Sequence, residues 1–312
     1  MPSRIAVIDI GTNTCNLLIA DYSDKNKFKI LVDNKHPVKL GEGGIQNGII
    51  LDQARARAFD ALAKHMVTIK EFETSRILAF GTSALRTARN GNEFAREIES
   101  HFGFKVDIIS GEREAELIYK GISLSVKLDS RPQLILDIGG GSNEFILCDN
   151  TGIHWKESYP LGMARIVEKF KPSDPVTRSE IEKLEDHFDR NLPGLYSALT
   201  QHHTRTLIGA SGSFETFASL LGELLPSKYS TKPGKTHQEI IIEDFLLLHD
   251  KLINSTSAER LNMKGMEPMR VDMIVPASIF VTFILKKCSL KKLVQSTYSL
   301  KEGVLHEQMQ KD

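Results

Sequence analysis

Two short glycine turns, each led by an aspartate, are the residues best suited to chemistry in this sequence. Gly11-Thr12-Asn13-Thr14 follows Asp9-Ile10, and Gly139-Gly140-Gly141-Ser142 follows Asp137-Ile138. Glycines let backbone N–H groups approach an oxyanion and hydroxyls donate to it, so either turn could cradle a phosphate. Taken singly, each is as well read as a hairpin loop whose aspartate caps the turn. Repetition separates the two readings. Residues 5–21 lie on residues 133–149 without a gap, at the offset of 128 that takes Asp9 to Asp137, with Asp-Ile-Gly and a hydroxyl (Thr14 or Ser142) in one register. Glu144, two residues past Ser142, can flank the loop with Asp137. Together they can hold a hard divalent cation through oxygen, and a site without Cys or His favours Mg2+ or Mn2+ over zinc.

Three further segments carry candidate groups. In Ser110-Gly111-Glu112-Arg113-Glu114-Ala115-Glu116 a helix opens after a strand, and Glu114 shares a stripe with Leu117 and Ile118 at i+3 and i+4. That makes Glu114 a candidate for a partly desolvated general base, although an acid favoured by the helix dipole fits the spacing as well. Glu116 and Lys120 form an i, i+4 pair that reads as a solvated face. A strand-turn-helix unit at 80–90 brings Arg86 and Arg89 to a helix start, a clamp for phosphoryl oxygens or a surface pair. Gly209-Ala210-Ser211-Gly212-Ser213 could receive a phosphate tail or nucleotide at Ser211 and Gly212, while any strand-to-helix turn also uses glycine. Gly234-Lys235-Thr236 imitates the end of a P-loop, but Tyr229 stands where that motif needs glycine.

The elements that must position these groups alternate between strands and helices. Each copy of the repeat reads as a hairpin, followed by helices at 52–72, 92–102 and 112–120 with strands at 77–80 and 106–109 in the first half. The second half reads as helices from Met163, towards Arg190 behind a capping box at Thr177 and Glu180, and at 237–254 and 268–287, with strands at 207–209 and 293–296 and a last helix from Leu300. The polar stretch at 129–132 suits a boundary, so the chain divides into domains at 1–128 and 129–312, both α/β. Forty Lys and Arg balance forty Asp and Glu, which leaves no global field to gather nucleic acid or an anionic membrane. The longest apolar run, Met273 to Leu285, falls well short of the roughly 20 residues that span a bilayer and reads as a buried helix. Three dispersed cysteines and a start without a secretory leader fit a reducing, cytoplasmic setting.

These motifs in this order resemble the exopolyphosphatase and guanosine pentaphosphate phosphohydrolase family. The marks are Asp9-Ile10-Gly11-Thr12-Asn13-Thr14, Ala84-Leu85-Arg86-Thr87-Ala88-Arg89-Asn90, Ser110-Gly111-Glu112-Arg113-Glu114-Ala115, Asp137 through Glu144, Gly209-Ala210-Ser211-Gly212 and Leu300-Lys301-Glu302-Gly303-Val304-Leu305. The resemblance implies two ribonuclease-H-like domains, of the actin, sugar-kinase and Hsp70-like kind, flanking a cleft. It also implies removal of the terminal phosphate of polyphosphate, or of guanosine pentaphosphate, with a divalent metal. By the same resemblance Glu114 activates the attacking water, Asp137 and Glu144 serve the metal, and the two turns with Arg86 hold the phosphates. Departures are Arg113, Asn143 and Lys301, where the family usually has an acid, Thr and Arg; Arg113 is the one with a bearing on substrate preference. The expected activity is therefore a metal-dependent exopolyphosphatase. Rivals are guanosine pentaphosphate hydrolysis, a sugar-kinase-like phosphotransferase and a nucleotide-binding regulator without turnover. No nucleic-acid or membrane partner is expected, and a homodimer is left open.

Overall fold

The computed structural model describes residues 3–25, 27–229 and 234–311. The chain forms two compact units: Met1–Gly121 with Gly139–Gly141 and Ser299–Asp312, and Ile122–Ile138 with Ser142–Tyr298. This division is not the single cut after residue 128 that the polar punctuation suggests. The last helix packs on the first two strands of the chain, because Val304 and Leu305 are buried there, and a linear reading cannot see such a return.

The first unit contains β1 (Ser3–Ile10), β2 (Thr14–Asp24), β3 (Lys27–Pro37), α1 (Asp52–Glu71), β4 (Arg76–Gly81), α2 (Ser83–Thr87), α3 (Gly91–Phe102), β5 (Val106–Ile108) and the start of α4 (Gly111–Ser125). Its sheet has the order β3-β2-β1-β4-β5, with an antiparallel meander on one side of β1 and parallel strands on the other. The second unit contains β6 (Gln133–Ile138), β7 (Asn143–Asp149), β8 (Gly152–Tyr159), α5 (Met163–Phe170), α6 (Arg178–Asn191), α7 (Pro193–Gln201), β9 (Thr206–Ala210), α8 (Ser211–Leu224), β10 (His237–Ile240), α9 (Ile242–Ile253), α10 (Ser257–Leu261), α11 (Ile274–Lys287) and β11 (Lys292–Ser296). Its sheet runs β10-β11-β9-β6-β7-β8. Strand for strand, β6, β7, β8, β9 and β11 repeat β1 to β5 in partner and direction. The closing helix is α12 (Leu300–Lys311).

The α/β plan and the duplicated hairpins are present as expected. Three details differ. A third strand follows each hairpin, β3 and β8; both lie at sheet edges where only one neighbour is paired, so their polar side chains lack the apolar run that marks a buried strand. The stretch 237–254 is not one helix: His237–Ile240 alternates exposed and buried residues and pairs with β11 before α9 begins. The stretch 268–287 opens with a separate 3-10 turn, Pro268–Arg270, before α11. Helix α11 is buried from Ile274 through Leu285, packed on α5, α6, α8 and α9. Its Phe280 lies edge-on to Phe188 and Phe145, the aromatic centre of the second core. No helix among the described residues is long and apolar enough to cross a membrane.

Candidate active site

The first turn closes between Ile10 and Cys15, with the Gly11 N–H donating to the Thr14 carbonyl at 2.9 Å. The segment after β3 ties it down: the N–H groups of Val38 and Lys39 donate to the Asn13 carbonyl and that of Gly41 to the Thr12 carbonyl. Thr12 and Thr14 are buried, and Thr12 Oγ1 has no hydrogen-bond partner. A buried hydroxyl without a partner costs free energy unless a ligand completes it. Asp9 leads the turn, and Asn16, its cross-strand neighbour, donates to it at 2.8 Å.

The glycines of the second turn, 139–141, pack within the first unit. A Cβ on Gly140 would lie 2.3 Å from Asn13 Nδ2, and one on Gly141 would lie 2.6 Å from both Thr12 Oγ1 and Ser83 Oγ. A side chain at either position would have to displace Asn13, or Thr12 and Ser83, so the two turns expected to cradle phosphate are assembled backbone against side chain. Ser83 joins them from the start of α2.

The strands on either side of the second turn carry the two carboxylates expected to serve a metal. Asp137 and Glu144 are direct cross-strand partners, 7% and 1% exposed. Like charges in that relation destabilise a sheet unless something neutralises them. Glu144 Oε1 accepts from Ser142 Oγ and Ser158 Oγ, each at 2.7 Å, while Asn143 turns away to donate to the Leu161 carbonyl. Among the described residues no group of three or more His, Cys, Asp and Glu converges as a metal site. Two carboxylates still suit Mg2+, which commonly takes one or two and fills its remaining positions with water and phosphate.

Glu114 and Arg86, read separately from the sequence, form a pair. Glu114 is 9% exposed, and Arg86 Nη1 donates to its Oε2 at 2.9 Å and to the Ile109 carbonyl at the same distance. A buried carboxylate needs such a partner. Arg89 goes elsewhere, its side chain to the Asn47 carbonyl. Arg113 bonds Glu116 and Glu307, and Lys120 bonds Glu307, so the expected Glu116–Lys120 face is a contact with α12 instead of open solvent.

In the second unit Ser211 takes φ +66°, a left-handed conformation rare outside glycine, and donates to the Ile138 carbonyl at 3.2 Å. It thereby ties the start of α8 to the strand that leads the second turn. Gly212 is free of a side chain because Arg270 occupies the space: a Cβ there would lie 1.9 Å from Arg270 Nη2. Arg270 is buried, its Nε has no hydrogen-bond partner, and Glu267 is 4.0 Å away. No sequence signal marked Arg270, Ser83 or Ser158. Ser158 lies on the unforeseen strand β8 opposite Glu144, and Arg270 is far along the chain from the glycine it covers.

This combination of duplicated α/β units, paired glycine turns and opposed carboxylates has the chemistry expected of a phosphate-handling protein. The Ppx/GppA phosphatase family matches residues 18–312, and the chain belongs to it. A crystal structure of an exopolyphosphatase from Cytophaga hutchinsonii superposes with a TM-score of 0.95 at 36% identity, covering 99% of this chain and 98% of that one. The chain is 33% identical, over 90% of its length, to the bifunctional 3-dehydroquinate synthase/phosphatase of Fusobacterium nucleatum, and it spans 43% of that protein. It is 25% identical to exopolyphosphatase 2 of Mycobacterium tuberculosis over 97% of both chains. The fold of this chain is therefore shared with the solved Cytophaga hutchinsonii relative over nearly the whole of both chains.

Proposed function

We propose that the chain is a metal-dependent exopolyphosphatase that hydrolyses the terminal phosphate of inorganic polyphosphate. The observation that carries this reading is the assembly of the two glycine turns, whose side-chain-free backbones and buried Thr12 hydroxyl suit an oxyanion. In this reading Gly11, Thr12, Asn13, Thr14, Gly139, Gly140, Gly141, Ser142, Ser211 and Gly212 bind phosphate oxygens. Asp137 and Glu144 hold Mg2+ or Mn2+, which when bound offsets charge on the phosphoryl oxygens. Glu114 takes a proton from the attacking water as its oxygen bonds the terminal phosphorus. The anhydride P–O bond breaks, and orthophosphate leaves from a chain one unit shorter. Arg86, the partner of Glu114, offsets charge on an equatorial oxygen.

A second reading, guanosine pentaphosphate as substrate, has one observation in its favour. A cavity of about 160 Å³ beside α8, one to two turns beyond Ser211, is lined by Glu215, Ser219, Gln238 and Gln295. Side-chain amides there suit the hydrogen-bonding edge of a nucleobase. Phosphate release from polyphosphate, guanosine pentaphosphate and ATP, each with magnesium, ranks the substrates. Glu114→Gln should lower the rate with the preferred one by about 10²- to 10⁴-fold while ligand still binds. Near-full activity of that variant would remove Glu114 from the role of base. The absence of a metal requirement would remove Asp137 and Glu144 from theirs. A cytoplasmic location and a homodimer belong to the same proposal; fractionation and sedimentation test them.

A further inference from the structure

Helices α4 and α12 approach so closely that neither can carry a side chain where they meet. A Cβ on Gly121 would lie 1.8 Å from the Ser299 carbonyl oxygen, and one on Gly303 would lie 1.8 Å from that of Leu117. Beside this contact sits a charge cluster built on a single acid. Glu307 of α12 accepts from Arg113 at 2.5 Å, from Lys120, and from Lys311 at 3.0 Å. Burial alone would push the Glu307 carboxyl up, but the bonds from Arg113, Lys120 and Lys311 outweigh it and hold the group at about 2. Arg113 and Lys120 are seven residues apart, close to two helical turns, and therefore present one face of α4 to the same carboxylate.

Arg113 is followed in the chain by Glu114, which faces away from that cluster onto Arg86 at 2.9 Å. The first turn of α4 is thus held on two sides at adjacent residues. A rotation of the turn that takes Arg113 off Glu307 also takes Glu114 off Arg86. We propose that Glu307 is a positioning residue for the reaction: through Arg113 and Lys120 it fixes the rotation of α4 and hence the place of the Glu114 carboxylate. The proposal rests on the reading of Glu114 as general base. It gives the departure at Arg113 an effect on rate, because Arg113 is spent on α12. General bases need placement to a fraction of an ångström, and a displacement of about 1 Å can cost about 10²-fold.

The test is a pair of substitutions measured alone and together in the full chain, with polyphosphate and magnesium. Glu307→Gln keeps the side-chain shape and removes the charge that gathers the three cations. It should lower kcat by about 10- to 100-fold with KM changed by less than about twofold, since the contacts to bound phosphate are untouched. Added to Glu114→Gln, it should leave the residual rate unchanged, because there is no base left to misplace. Equal fractional losses in both backgrounds would show a structural role and overturn the proposal, as would full kcat in a folded Glu307→Gln. Should that variant not fold, Arg113→Gln is judged by the same comparison. Undiminished activity of Glu114→Gln alone is a different failure: it removes the base assignment itself.

Discussion

The two hairpins share one plan and differ at the position opposite the leading aspartate. Across from Asp9 stands Asn16, whose amide donates to the Asp9 carboxylate at 2.8 Å. Across from Asp137 stands Glu144, a second buried carboxylate with two serine hydroxyls on one oxygen. The first hairpin thus sets an amide opposite its acid, whereas the second sets a carboxyl group opposite a carboxyl group in a strand pair that is buried throughout. In the proposed function both turns serve phosphate, and the difference at this one pair position is what would suit the second of them to a cation.

The largest expected effect breaks that asymmetry. Metal stabilisation of phosphoryl charge is worth several kcal/mol, so Asp137→Asn or Glu144→Gln should lower activity by about 10³-fold. A cation that binds only the folded chain also raises its melting temperature. Magnesium should raise Tm in the unmodified protein and in Asp9→Asn, but not in Asp137→Asn. A Tm rise of equal size in all three would remove the second hairpin from the metal site.

The next effect concerns the turns themselves. At Gly141 a methyl group would meet two hydroxyl oxygens at 2.6 Å, while at Gly11 it would meet the Thr14 carbonyl oxygen at 3.1 Å. Overpacking of this kind costs about 1–3 kcal/mol, so Gly141→Ala should destabilise the fold by that amount and Gly11→Ala by less. Thermal or urea unfolding of the two variants checks the order. A harmless Gly141→Ala would mean that the second turn does not seat against Thr12 and Ser83 in solution.

Much of this arrangement was readable from the chain alone, for local reasons. The repeat put Asp9 and Asp137, Gly11 and Gly139, and Thr14 and Ser142 in one register, and both hairpins form in that register. The capping box at Thr177 and Glu180 forms as its spacing requires. What escaped reading was carried by returns of the chain. The pairing of Arg86 with Glu114 depends on how α2 and α4 are both placed by the sheet. The cover of Arg270 over Gly212 depends on the packing of a distant 3-10 turn. The role of Arg113 depends on α12, which comes back to the first unit from the far end of the sequence. Edge strands β3 and β8 escaped because one-sided pairing leaves a polar composition that reads as loop.

The smallest expected effect sharpens the comparison by copying the second hairpin into the first. Asn16→Glu would remove the amide that donates to Asp9 and set a carboxylate opposite another, as at Asp137 and Glu144. A directly opposed like-charge pair costs up to about 1 kcal/mol, so Tm in EDTA should fall by a few degrees. If opposed carboxylates at this register are what make a turn take a cation, magnesium should recover part of that fall, and the recovery should persist in an Asn16→Glu, Asp137→Asn double variant whose own site is gone. A fall that magnesium leaves untouched would show that the pair alone does not suffice. The hydroxyls of Ser142 and Ser158 on Glu144 would then be the part of the second hairpin that the first one lacks.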